Sequence, residues 1–403
     1  MFFARWPRTP ACARPARRWL AAIGLALLAA CGGGGDAPAP AEPQFVEPTG
    51  PGQLDRATPL ARVARADIAA VVQAPGSRLH ALVPLYDVDN VRIEYHTADA
   101  QGAEIVASAL IAVPVKAAGA KSPVIGYQHG TTFVDAEAPS NAIAPDEPPV
   151  ALASAGYIVV APDYVGYGTS KGAAHPYLLA APTAAAMIDA LTAAQTWRRR
   201  AAVADNAQLF LTGYSEGGYA TVAAHRAMQL GRSAHLAALR AVVAGAGPYD
   251  PKITLDALLE RARANLPPAL AALVHPGVLR FLSDADRARL RDAILAQVRP
   301  ADADVAFDAR VIDRYLVDDT AALARDSQVD DWAPALPLRL FHGRDDETVP
   351  YATGEAAVAT MRAAGAADVT LTACTAVPAS HLGCVPEFLA FVLDNFRLQA
   401  RDL

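Results

Sequence analysis

Two hydrophobic rhythms alternate along the chain. Val91–Thr97 and Glu104–Val115 are strand-like runs on either side of a turn at Asp99–Gly102. Ser122–Gln128, Gln208–Thr212, Leu239–Ala244, Pro337–Phe341 and Val369–Thr372 are further short apolar runs. Tyr157–Ala161 is a continuous β-branched stretch, the pattern of a strand buried on both faces. Between these runs lie helical patterns. Pro148–Ala155 carries prolines in its first turn and Gly156 just past its end. Pro182–Trp197 is long and Ala-rich, a helix follows Gly218 to about Leu230, and Pro386–Phe396 closes the chain. Strands and helices alternating at this spacing predict a mostly parallel sheet covered by helices on both faces. One stretch breaks the rhythm: about 251–331 has no strand pattern, but has Leu255-Leu258-Leu259, Leu266-Leu270-Leu273 and Arg/Asp-rich faces. It predicts an inserted helical cap, with a separate helical domain as the alternative. No internal repeat is visible.

The N-terminus has a different character. Residues 1–18 hold Arg5, Arg8, Arg14, Arg17 and Arg18 and no acid, and an apolar run, Trp19–Ala30, leads to Cys31. A basic start, a short apolar run and small residues at its end predict a signal peptide over 1–30. The run is shorter than the roughly 20 apolar residues that a membrane-spanning helix needs. Leu28-Ala29-Ala30-Cys31 resembles a bacterial lipobox, in which the Cys becomes the lipidated first residue. Gly32 behind it resembles lipoproteins sent to the outer membrane. Gly32–Gly35 and Asp36-Ala37-Pro38-Ala39-Pro40 then read as a tether over about 31–58, since such a composition cannot pack a core. The remainder, 59–403, is expected to be the catalytic domain.

Composition narrows the field. With 53% hydrophobic and 19% charged residues, 403 residues can build a large globular core. A net charge of −6 argues against nucleic acid as a partner; Arg198–Arg200 falls at a helix end, where cations suit the helix dipole. Four glycines without a following Lys-Ser/Thr make no phosphate loop, and no histidine pair has metal-ligand spacing. The expectation is therefore no cofactor and no metal. Of the four cysteines, Cys12 leaves with the signal peptide and Cys31 takes lipid. Cys374 and Cys384 remain, in an exported, oxidising setting, and are expected to pair.

Gly213-Tyr214-Ser215-Glu216-Gly217 fits G-x-S-x-G between a buried-type strand and a helix, the context of a nucleophile elbow. Ser215 is the candidate nucleophile. A serine hydroxyl needs a base, and the base an orienting acid. The segment from His342-Gly343 to Val349-Pro350 leaves a strand with three acids in a row; it resembles the H-G-x-x-D-x-x-V-P pattern common in α/β-hydrolases, and that resemblance selects Asp346. Asp345 and Glu347 are then read as solvated, and Asp250 is the second-choice acid. His381 follows Asp346 between a strand and the last helix and is the candidate base. After an early strand, His129-Gly130-Thr131-Thr132 is a turn suited to half of an oxyanion hole. The backbone N–H groups of Thr131 and Glu216 are the candidate donors, with Gly130 and Thr132 open as alternatives to Thr131. The Glu216 side chain is read only as a helix-start acid.

His129-Gly130-Thr131-Thr132, Ala161-Pro162-Asp163-Tyr164-Val165-Gly166-Tyr167-Gly168, His175-Pro176-Tyr177, the serine elbow and the acid loop together resemble the secretory lipase family of α/β-hydrolases, over roughly residues 80–396. The resemblance implies the α/β-hydrolase fold and hydrolysis of carboxylic esters, often acylglycerols, under a helical cap. It implies Ser215, Asp346 and His381 as the triad, with a small-molecule or lipid ester as substrate. Two alternatives stand beside it: a serine peptidase on the same fold, and an inactive lipid-anchored binding module. An intact Ser, Asp and His in the right order argues against the second.

Overall fold

The computed structural model describes residues 45–264, 267 and 271–403. The expected signal peptide over 1–30 and the expected lipidation site Cys31 lie outside the described residues. The chain divides into two units, Met1–Val46 and Glu47–Leu403; of the first, only Phe45 and Val46 are described, and both lie outside regular structure.

The second unit is built on a nine-stranded sheet in the order β1-β2-β3-β5-β4-β6-β7-β8-β9. The strands are β1 (Leu54–Pro59), β2 (Val88–Ala98), β3 (Glu104–Pro114), β4 (Ser122–Gln128), β5 (Ile158–Pro162), β6 (Asp205–Tyr214), β7 (Leu239–Gly245), β8 (Leu338–His342) and β9 (Val369–Ala373). β1, β2, β3 and β5 pair antiparallel; β5, β4, β6, β7, β8 and β9 pair parallel. This is the mostly parallel sheet that the alternation predicts.

Successive residues of the central strands serve opposite faces, as a pleated strand requires. Val124, Val160, Leu211, Val242 and Leu340 pack on one face, with α3 (Ala180–Arg200) and α4 (Glu216–Leu230). Ile125, Val159, Phe210, Val243 and Phe341 pack on the other. There they meet α1 (Arg65–Gln73), α2 (Pro148–Ser154) and the closing helix Val385–Arg397. Phe210 and Phe396 are fully buried, their rings 4.7 Å apart.

Two differences from the sequence reading concern the start of the domain. Leu54–Pro59, within the stretch read as tether, is β1, hydrogen-bonded to β2. Only Leu54 of its six residues is buried, so this edge strand has no hydrophobic alternation to read. The α1 helix had no expectation either; it buries just Ile68 and Val72.

Between β7 and β8, the described residues of 251–331 form helices and no strand: Pro251–Ala264, Pro276–Leu279, Asp284–Val298, Arg310–Leu316 and Thr320–Ser327. The root of the insertion is joined by a hydrogen bond from Val329 N–H to Tyr249 O (2.9 Å). Asp304–Asp308, without regular structure of its own apart from one bridge, reaches back to the sheet's C-terminal edge: His175 and Phe307 form that isolated β-bridge. Strand register brings the ends of β4, β6, β7 and β8 to the same edge, where Gln128 faces Gly213, Tyr214 faces Gly245 and Gly245 faces Phe341. Loops leaving this edge are where an open parallel sheet places its chemistry.

Candidate active site

Ser215 stands between β6 and α4 with φ +60° and ψ −124°, a conformation rare for a residue with a side chain. Its N–H donates to Gly245 O (2.9 Å), so the turn is tied to the neighbouring strand. The glycines around it are there for room. A Cβ on Gly217 would sit 2.0 Å from Gln128 O, and one on Gly213 would sit 2.3 Å from Gly217 O. Either side chain would push the elbow off the end of β4.

His381 and Asp346 meet this serine. With the imidazole proton on Nδ1, His381 donates to Asp346 Oδ2 (2.6 Å), and the Ser215 hydroxyl donates to His381 Nε2 (2.9 Å). Asp346 is buried, and its Oδ1 accepts from the N–H groups of Thr348 and Val349 (both 2.8 Å). Burial by itself raises its pKa. Hydrogen bonds from His342 and His381, the His381 charge and the Val349 N–H outweigh that and hold the carboxyl well below the usual carboxylate range. Asp346 is thus a carboxylate at neutral pH, which suits it to orient an imidazole. Asp250 makes no such contact; it accepts from Lys252 N–H (2.9 Å) at the start of helix Pro251–Ala264.

Asp345 takes the solvated place expected of it and a structural role besides. It is exposed, but its Oδ2 accepts from Ala379 N–H (2.9 Å) and its N–H donates to Ala379 O (3.1 Å). These bonds clip the acid loop to the loop that carries His381. That second loop is held twice more. Tyr214 donates its hydroxyl proton to His381 O (2.7 Å), and Cys374 and Cys384 form a disulfide across the loop's base with Cα atoms 6.0 Å apart.

The turn after β4 lies against the nucleophile: a Cβ on Gly130 would be 3.7 Å from Ser215 Cβ. Tyrosines fix the carbonyls on either side of it. Tyr164 donates to His129 O (3.2 Å) and Tyr167 to Thr132 O (2.6 Å). The His129 ring stacks on Tyr164 at 4.2 Å, and burial lowers its pKa, so it is a neutral structural imidazole. The Asp163 of the A-P-D-Y run is a brace rather than a reactant. It is fully buried and accepts from Ser108 Oγ (2.6 Å), Ser140 N–H (2.7 Å) and Ser140 Oγ (2.5 Å).

The Glu216 side chain does not point to solvent from a helix start. It is buried, with Oε1 2.6 Å from His175 Nε2. Sequence reasoning missed this pair because an acid at a first helical turn has a sufficient local explanation, and His175 lies 41 positions away. Among the described residues no group of three or more His, Cys, Asp or Glu is placed to hold a metal ion.

A sequence model of the secretory lipase family matches residues 149–254, the segment from α2 through the serine elbow to the root of the insertion. Among solved structures, a Legionella pneumophila protein described as a candidate hydrolase is 26% identical over 86% of this chain and 97% of its own, with a TM-score of 0.67. The chain has the α/β-hydrolase fold, and its segment 149–254 is similar to the secretory lipase family. A point mutant of the rice cell wall degrading esterase LipA of Xanthomonas oryzae has the same fold at 24% identity and TM-score 0.67, over 88% of this chain and all of its own. Lipase A of Candida antarctica shares it at 18% identity and TM-score 0.52, over 83% of this chain and 78% of its own. No curated protein matches the sequence. The matched segment carries the serine elbow, and the activity it supports is that of a carboxylic ester hydrolase, an esterase or lipase.

Proposed function

We propose that this α/β-hydrolase cleaves carboxylic esters through an acyl-enzyme on Ser215. The Ser215 oxygen attacks the ester carbonyl carbon while its proton passes to His381 Nε2. The resulting oxyanion accepts from the Thr131 and Glu216 N–H groups. Collapse of the intermediate breaks the bond to the alcohol, which takes the proton from His381. Water, deprotonated by His381, then attacks the acyl carbon and frees Ser215 as the acid leaves. Asp346 holds the imidazole tautomer and balances the imidazolium charge throughout. The observation that carries this reading is the chain of contacts Ser215–His381–Asp346 at 2.9 and 2.6 Å. The glycine-rich elbow, which opens α4 at Glu216, and the neighbouring β4 turn support the oxyanion assignment.

The test is Ser215→Ala against nitrophenyl esters of graded chain length, with an aminoacyl anilide beside them. Loss of the nucleophile should lower ester turnover by at least about 10⁴-fold, and a nitrophenyl phosphonate should add its phosphonyl group to the Ser215 peptide alone. A Ser215→Ala enzyme with a tenth of wild-type activity, or wild-type turnover faster on the anilide, would overturn the reading. We infer further that the enzyme is a lipoprotein held at the outer membrane through Cys31, on the strength of the basic start, the apolar run and the lipobox-like junction.

A further inference from the structure

One short segment of the insertion bonds both to the chain just past the β4 turn and to His175, whose ring contacts Glu216. On the β4 side, Asp304 and Val305 donate their N–H groups to Phe133 O (3.0 and 3.3 Å). Asp135 N–H donates to Asp304 Oδ1 (2.8 Å), and Lys171 pairs with Asp304 Oδ2 (2.6 Å). On the β6 side, His175 N–H donates to Ala306 O (2.7 Å), and Asp308 N–H donates to His175 O (2.8 Å). Phe307 lies edge-on to the His175 ring at 5.2 Å. The His175 ring then reaches inward. Its Nδ1 sits 3.0 Å from Val165 O and its Nε2 sits 2.6 Å from Glu216 Oε1. Both side chains are 2% exposed. Glu216 Oε2 is buried too and has no hydrogen-bond partner among the described residues, so His175 is the polar restraint on this carboxylate.

We propose that the buried Glu216–His175 pair is a positioning device that ties the insertion segment Asp304–Asp308 to the oxyanion-binding N–H of Glu216. The proposal rests on the reading of that N–H as an oxyanion donor. The donor belongs to the first residue after the nucleophile, on a turn whose backbone conformation is unfavourable by itself. A buried carboxylate is costly to leave unpaired, so the pair fixes where Glu216 sits. The same segment also holds Phe133 and Asp135 just past the β4 turn, so displacing it would move both donors at once. A displacement of about 1 Å at such a site can cost about 100-fold in rate.

The experiment compares His175→Ala, His175→Gln, Glu216→Gln and the double variant His175→Ala/Glu216→Gln with wild type and Ser215→Ala. Active sites are titrated with a nitrophenyl phosphonate. kcat and KM per titrated site are then measured on nitrophenyl butyrate, and Ki for a trifluoromethyl ketone, whose adduct carries the oxyanion. His175→Ala should lower kcat per titrated site by about 10–100-fold with KM within about threefold, and should raise Ki by the factor that kcat/KM falls. His175→Gln, which keeps a donor at similar reach, should recover most of kcat. The double variant should be no worse than the worse single change, because the two side chains act as a unit. A merely structural role gives fewer titratable sites with wild-type kcat per site, and that result overturns the proposal while a dead Ser215→Ala leaves the ester-hydrolase reading intact. Activity surviving in Ser215→Ala overturns both. If His175→Ala yields no titratable sites, Glu216→Gln decides: a kcat per site several-fold below wild type supports the proposal, and an unchanged value overturns it.

Discussion

Ser215 is held with a left-handed φ by bonds to β7 and by glycines whose missing side chains let β4 and β6 approach. Such a conformation is unfavourable for serine by about 1–3 kcal/mol, and persists because its surroundings over-determine it. The acid is set by hydrogen bonds rather than by the bare presence of a carboxylate. Three consecutive acids leave β8, and Asp346 alone of them is recorded on His381. Asp346→Asn should therefore lower kcat by about 10³–10⁴-fold, since the amide favours the wrong imidazole tautomer. Asp345→Asn keeps an acceptor for Ala379 N–H and should retain more than a tenth of activity, as should Asp250→Asn. The stability of Asp346→Asn should be about 1–3 kcal/mol below wild type at pH 7. The sign follows from the depressed pKa of Asp346 in the fold. Its contribution is complete above the unfolded carboxyl value of about 4 and is lost as pH falls through the lower folded value, so the gap between the two proteins should narrow below about pH 4. Denaturant melts at pH 7 and pH 3 beside pH–rate profiles measure both effects; a gap that widens in acid, or a severe Asp250→Asn with a mild Asp346→Asn, would reverse the assignment.

At the scale of elements, the inner parallel strands such as β5 and β7 were legible because each is a short apolar run buried on both faces, and the Ser, acid, His order could be read from loops that follow such runs. β1 was not, because an edge strand with one buried residue leaves no period in its sequence. The Glu216–His175 pair was hidden for a different reason: it is a contact between a helix start and a loop, and burial of an acid cannot be inferred from its neighbours in sequence. The loop that carries His381 is an intermediate case, since exported cysteines on either side of a histidine suggest a closure. The disulfide spans ten positions, and closing a loop of that size constrains the unfolded chain by about 3 kcal/mol in the loop-entropy picture. Its effect on catalysis should show before its effect on the core, because it closes the loop that carries His381, which must keep its 2.9 Å contact with Ser215, whereas the core around the two cysteines is also held by the packed closing helix. Under graded reductant, activity should fall by several-fold before the near-ultraviolet circular dichroism of the buried aromatics changes. Full activity in a Cys374→Ser/Cys384→Ser protein, or simultaneous loss of activity and tertiary signal, would refute that ordering.

For the whole molecule, the question is how a catalytic unit beginning near Glu47 meets its substrate. No helix among the described residues is long and apolar enough to cross a membrane. The proposed attachment is a covalent one at Cys31, ahead of about fifteen residues rich in Gly, Pro and Ala. A covalent anchor would serve an ester hydrolase whose substrate lies in or beside a membrane, without requiring the catalytic unit itself to insert. The chemistry of anchoring sets the expected signal. A single acyl chain holds a protein only marginally and reversibly, whereas two or more hold it stably, so the processed Cys31 should carry a diacylglyceryl group and the wild type should pellet with membranes. Growth with a labelled fatty acid should label the wild type and leave Cys31→Ser unlabelled. Cys31→Ser should then appear in the soluble fraction with unchanged kcat on a water-soluble nitrophenyl ester, because the active site lies wholly within the second unit. An unlabelled wild type, or a labelled Cys31→Ser, would remove the anchor from this account and leave the enzyme to reach its substrate by diffusion.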